Sequence, residues 1–133
     1  MRRATLALFL VLTSACVTVQ QPRYSAAALS DRLFLGLSIP GGGEVTEEEW
    51  RAFVRDEVTP RFPDGLTLWR AEGQWRERDG NIAREPVLVI EIVHRVDLRL
   101  DEDINDIAEA WKQRFRQEAV MRVTSPARLE FVD

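Results

Sequence analysis

Pro60, Pro63 and the pair Asp64-Gly65 stand together in the stretch Thr59-Pro60-Arg61-Phe62-Pro63-Asp64-Gly65, and neither a helix nor a strand can run through it. Each proline fixes its own φ and removes a backbone donor, while glycine after aspartate supplies a tight turn. Whatever precedes the stretch must end there, and whatever follows sets off in a new direction. Before it, Trp50, Phe53, Val54 and Val58 recur at helical spacing, so the corner closes a helix whose apolar stripe covers a sheet. Thr59 is the last helical residue, because the residue before proline avoids the α region. After the corner, Trp69, Ala71, Gly73 and Trp75 alternate with Leu68, Arg70, Glu72, Gln74 and Arg76. That is the period-2 pattern of a strand with one aromatic and small face and one largely polar face.

The helix also has a readable start. Thr46 and Glu49 form a capping box, and Val45 and Trp50 are placed for a hydrophobic staple across it. Upstream, Leu33, Leu35, Leu37 and Ile39 alternate with Phe34, Gly36 and Ser38, which predicts a first strand beginning near Asp31 and broken by Pro40-Gly41-Gly42-Gly43. These glycines do not make a phosphate cradle. No lysine accompanies them, and Glu44, Glu47, Glu48 and Glu49 would repel an anion.

Glu77-Arg78-Asp79-Gly80-Asn81 is a hairpin signal, and residues 82–93 return as a central strand with Pro86 at its beginning. A second helix is expected from about Asp101 or Asp103 to Glu118, with Ile104, Ile107, Ala108, Trp111 and Phe115 on one stripe. Residues 119–123 and 128–132 finish the chain as a strand interrupted near Pro126. The order predicts an α+β, ferredoxin-like βαββαβ fold: a four-stranded antiparallel sheet with two helices on one face and the other face open.

The chain begins Met1-Arg2-Arg3, continues with an apolar run from Ala4 to Leu12, and reaches Thr13-Ser14-Ala15-Cys16. A charged start, a short apolar segment and a small-residue exit read as a secretion signal over residues 1–15, too short to span a bilayer. Leu12-Thr13-Ser14-Ala15-Cys16 resembles the lipobox of bacterial lipoproteins, with Thr13 departing from the usual aliphatic residue. The expectation is a lipidated Cys16, a tether over residues 16–30 and a single domain over residues 31–133. The membrane is then reached through the lipid on Cys16, facing the periplasm, or the protein is secreted if Cys16 is not acylated.

The formal net charge of −4 becomes more negative once Arg2 and Arg3 are removed, which argues against nucleic acid as a partner. Cys16 and His94 are the sole cysteine and histidine. A nucleophile activated by histidine, or a zinc site with three or four ligands, is therefore poorly supplied. Asp101, Asp103 and Asn105 fit the first ligands of a calcium loop, yet Asp106 takes its glycine position and Lys112 its glutamate position. No catalytic residue, metal ligand or cofactor is assigned, and His94 reads as a strand-end or loop residue. Asp64, Glu72, Glu85 and Glu91 are available for a carboxylate pair of the kind that cleaves glycosides, but the sequence gives no separation between them.

From Leu33 to Phe131 the chain resembles domain-of-unknown-function family 3574, small exported bacterial proteins that often carry a lipoprotein signal. The resemblance rests on Phe34-Leu35-Gly36-Leu37-Ser38, Val45-Thr46-Glu47-Glu48-Glu49-Trp50 and Thr59-Pro60-Arg61-Phe62-Pro63-Asp64-Gly65-Leu66-Thr67. Gly73-Gln74-Trp75-Arg76, Arg84-Glu85 and Lys112-Gln113-Arg114-Phe115 complete it. It implies a shared fold and export route and carries no activity.

The candidate binding residues are Arg61, Gln74, Trp75, Arg76 and Arg84, concentrated around one turn and one hairpin. Their plain structural reading is that the arginines form ion pairs with Asp64, Glu72 and Glu85. The leading expectation is a non-catalytic binding or interaction module, contacting a second copy, an envelope protein or an anionic small ligand through the open sheet face. The alternative is a small-ligand-binding protein or enzyme of the dimeric α/β-barrel type.

Overall fold

The computed structural model describes residues 26–76 and 79–131. Strand β1 (Ala26–Gly36) leads to helix α1 (Glu47–Phe53), which runs on as one wider, π-helical turn (Val54–Val58). Strands β2 (Thr67–Arg76) and β3 (Ile82–Arg95), helix α2 (Leu98–Phe115) and strand β4 (Met121–Leu129) follow. All strand pairs are antiparallel, in the order β2-β3-β1-β4. This is the ferredoxin-like α+β fold expected from the alternation of elements.

Alternation along β1 and β3 puts Leu33, Leu35, Leu37, Leu88, Ile90 and Ile92 on one side of the sheet, where both helices cover them. Phe53 meets Trp111 edge-on at 4.9 Å, and Trp111 meets Phe115 at 4.4 Å, so an aromatic cluster joins α1 to α2. Thr46 caps α1 as read from the sequence: its hydroxyl accepts the Glu49 amide at 3.3 Å, and the Glu49 carboxylate accepts the Thr46 amide at 2.8 Å. At the corner Pro60 has no proton to donate. The Val54 carbonyl instead takes the Thr59 amide five residues on, and the Val58 carbonyl takes those of Arg61 and Phe62.

Four details differ from expectation. Strand β1 begins at Ala26 rather than near Asp31, because residues 26–34 pair with β4. Strand β4 is continuous through Pro126, which is tolerated because β4 is an edge strand with an unpaired side. Pro86 lies inside β3, one residue beyond the last β1 partner pair, Gly36 with Val87. Its missing proton is not needed there, and its carbonyl accepts the Leu37 amide at 2.9 Å. Helix α2 starts earlier, since Asp97 is the cap and accepts the Arg99 amide at 2.9 Å. It ends at Arg116, in the left-handed region at φ 55°.

The sheet face away from the helices is open. Trp69 and Trp75 are 38% and 48% exposed there, with Val93, Met121 and Val123 also exposed. The signal segment, Cys16 and the tether up to residue 25 lie outside the described residues.

Candidate functional site

At the hairpin end of the sheet, Gly73 pairs with Glu85, Gln74 with Arg84, Trp75 with Ala83 and Arg76 with Ile82. Alternation therefore puts Trp75, Ala83 and Glu85 on the open face, with Gln74, Arg76 and Arg84 on the other. On the neighbouring strand Gly36 faces the same way as Glu85. A Cβ on Gly36 would stand 2.8 Å from Glu85 Oε2 and 3.0 Å from both Glu85 Oε1 and Gln117 Oε1. Real side chains do not approach so closely. Glycine is what allows the carboxylate and the amide oxygen to lie against this backbone.

Gln117 is delivered by the end of α2, where the left-handed Arg116 turns the chain back toward the sheet. Its Nε2 donates to the Ser38 carbonyl at 2.7 Å, which leaves Oε1 directed at Gly36 and the Glu85 carboxylate. Around this point a cleft of about 620 Å³ wraps the end of the strands, lined in part by Ser38, Trp75, Arg76, Arg84, Glu85 and Gln117. Burial raises the Glu85 carboxyl above its ordinary value, and the Ser38 amide and hydroxyl pull weakly the other way. Among the described residues no ion pair holds Glu85, Arg76 or Arg84.

The cleft thus brings Trp75, Arg76 and Arg84 together, while Gln74 and Arg61 are not among its lining residues. Arg61 has a structural role instead. Its Nη1 donates to the Glu57 carbonyl at 2.6 Å and the Glu57 carboxylate at 3.0 Å, and its Nε lies 3.9 Å from Asp103, tying the corner to α2. For Arg61 the ion pairs expected with Asp64, Glu72 or Glu85 give way to those with Glu57 and Asp103, and among the described residues Arg76 and Arg84 form none of those expected. Glu85, Gln117, Ser38 and Gly36 were not singled out as a site from the sequence. A glycine inside an apolar strand pattern was the one available signal of close approach.

A second cleft, of about 850 Å³, lies at the other end of the sheet and includes Arg61, Phe62, Glu91, His94, Arg95 and Phe131. His94 is, as expected, a strand-end residue, one position before the last of β3, but it is buried. Its Nε2 is 2.8 Å from Asp31 Oδ2, and its Nδ1 is 2.7 Å from the Arg95 carbonyl, so neither nitrogen is left for a ligand. Asp31 also accepts from Arg122 Nε at 2.7 Å and from the Thr124 hydroxyl. Arg122 continues to Asp101 at 2.6 Å and Asn105 at 2.9 Å. This compensated network binds β1, β3, β4 and α2 together.

The fold is shared with a solved structure of phage SAM lyase in complex with S-methyl-5′-thioadenosine. The TM-score is 0.61 at 18% identity, over 83% of this chain and 95% of that one. The same lyase in its apo state matches with a TM-score of 0.56 at 16% identity, over 80% of this chain and 94% of that one. No curated protein matches the chain. At these identities the likeness is one of architecture. It nevertheless corrects the leading expectation of a non-catalytic interaction module, because nearly the whole of an enzyme is built on this architecture. The alternative of a small-ligand-binding protein or enzyme is the better supported. The family model described as a protein of unknown function, DUF3574, matches residues 30–131, and the chain belongs to that family.

Proposed function

We propose that the domain binds, and acts on, a compact organic molecule in the cleft between Trp75, Arg84 and Glu85. The observation that carries this reading is Glu85 itself. It is a partly desolvated carboxylate seated over a glycine, in a cleft that also holds an exposed indole and two arginines, and among the described residues neither it nor those arginines form an ion pair. A carboxylate kept only for stability would be compensated, as Asp31 is. The likeness to a lyase that holds S-methyl-5′-thioadenosine supports a nucleoside-like ligand, whose flat base suits the Trp75 ring.

Titration of the purified domain with S-methyl-5′-thioadenosine and with S-adenosylmethionine, followed by calorimetry, tests the reading. Saturable binding with a Kd below about 1 mM is expected for at least one of them. Trp75→Leu should weaken it by about tenfold, the value of one well-placed aromatic contact. Chromatography of the S-adenosylmethionine mixture reads whether the ligand is also converted. No heat from either compound at millimolar concentration overturns the reading.

Export and acylation at Cys16 belong to the same proposal and are supported by the sequence of residues 1–16 alone. Cells given labelled palmitate are expected to label the parent protein and not Cys16→Ala, and globomycin should accumulate the precursor. An unlabelled parent would sink the anchor. The two buried methylene-rich chains of a diacyl anchor hold stably where one does not.

A further inference from the structure

Three acceptor oxygens, both of Glu85 and the Oε1 of Gln117, converge within 3.0 Å of one point above Gly36. Gln117 cannot turn its amino group toward that point without giving up its 2.7 Å donation to the Ser38 carbonyl. Arg84, the basic residue next to Glu85 in sequence, projects from the opposite face of β3. The local field is therefore negative, and no described side chain neutralises it.

Asp31 has Arg122, Thr124 and His94 as donors and is sealed in the interior. Among the described residues Glu85 has as donors the Ser38 amide and hydroxyl alone, and it lines a cleft. Trp75, from the same face of the hairpin, presents an exposed ring to the same space. A π-face and a carboxylate both attract positive charge, and burial strengthens both attractions.

We infer that Glu85, Gln117 and Trp75 form a receptor for a positively charged centre of the ligand, an onium group such as a sulfonium or a substituted ammonium. Arg76 and Arg84 at the margin of the cleft then suit an anionic group elsewhere on the same molecule. The ligand class is a zwitterion or cation carrying an aromatic ring. A neutral nucleoside satisfies only the ring contact. This inference rests on the proposed small-molecule reading of the cleft and adds the selection of charge.

The test uses two compounds that differ by one methyl group and its charge, neither of them carrying an ammonium: S-methyl-5′-thioadenosine, a neutral thioether, and its S-methylated sulfonium, 5′-dimethylsulfonio-5′-deoxyadenosine. The parent domain is expected to bind the sulfonium at least about tenfold more tightly, as one partly desolvated charge contact implies. Glu85→Gln, which keeps the shape of the side chain, should bring the ratio close to one while leaving the thioether's affinity within about threefold. Far-ultraviolet circular dichroism confirms that the variant is folded. Equal affinities in the parent overturn the charge selection alone and leave a small-molecule site standing. Charge selection by Glu85 is overturned in the same way if Glu85→Gln weakens both compounds equally, since a merely structural role would do that. Binding of neither compound by the parent overturns the small-molecule reading and this inference with it.

Discussion

Asp31→Ala is expected to remove about 3–5 kcal/mol of stability, the range found when one partner of a buried charge pair is deleted and the other is left behind. The Asp31 side chain is fully buried, with 0% exposure, and the variant would strand His94 and part of Arg122 without their acceptor. For a domain of this size the melting temperature should fall on the order of 15–30 °C. Urea melts followed by circular dichroism read the loss directly. The surface pair of Arg32 and Glu91 is the internal control. At 2.9 Å its distance is close to that of the Asp31 pairs, but its side chains are 44% and 26% exposed, so Arg32→Ala should change stability by less than about 1 kcal/mol. Equal effects from the two substitutions would mean that burial is not what gives the Asp31 network its weight.

The pH dependence has a definite sign. Burial alone would raise the Asp31 carboxyl, but donors from Arg122, Thr124 and His94 outweigh it and hold the group below its ordinary value of 3.8. A depressed folded-state value contributes stability that is complete above the unfolded value and lost as pH falls through the folded one. The stability gap between the parent and Asp31→Asn should therefore be constant near neutrality and shrink below about pH 3.8. Glu85 runs the opposite way. Its raised value means that the stability from its protonated form is present below the unfolded value and lost as pH rises through the folded one. Ionising Glu85 as pH rises thus weakens the fold locally, and a cation in the cleft would offset that.

Local pattern carried the fold further than it carried the site. The corner at Pro60 and Pro63, the capping box at Thr46 and the alternating strands each depend on residues a few positions apart, so their physics is visible in a short window. The meeting of Trp75, Arg76 and Arg84 was accessible for the same reason: the hairpin that pairs Gln74 with Arg84 closes over the turn between them. The rest of the site depends on contacts that no window spans. Gln117 reaches the Ser38 carbonyl across 79 sequence positions. Asp31 meets His94 across 63 positions and Arg122 across 91. In sequence Asp31 looked like a strand boundary, because an ionisable residue at the start of an apolar alternation usually marks one. It is a core position whose charge is compensated from two other elements, β3 and β4. Arg61 shows the converse: its place beside a conspicuous turn suggested a site, and the turn's own need to cap Glu57 and reach α2 accounts for it.

Gly36→Ala should separate the site from the fold. The added Cβ would meet Glu85 Oε2 at 2.8 Å and Gln117 Oε1 at 3.0 Å, the ends of two flexible side chains rather than backbone. Both can swing aside, and alanine restricts the unfolded chain more than glycine does. The melting temperature is therefore expected to stay within about 4 °C of the parent, equivalent to less than about 1 kcal/mol. The ligand site does not have that freedom, because its acceptor oxygens are held where they are by the absence of a side chain on Gly36. Displacing them by an ångström or more from their position beside the Trp75 ring should weaken S-adenosylmethionine binding by at least about tenfold, as misplaced contacts do in preorganised sites. The pairing of a near-parental melting curve with a lost titration is the expected result. A variant that melts far below the parent would show Gly36 to be a packing requirement of the sheet, and one that binds as the parent does would move the site away from Glu85 and Gln117.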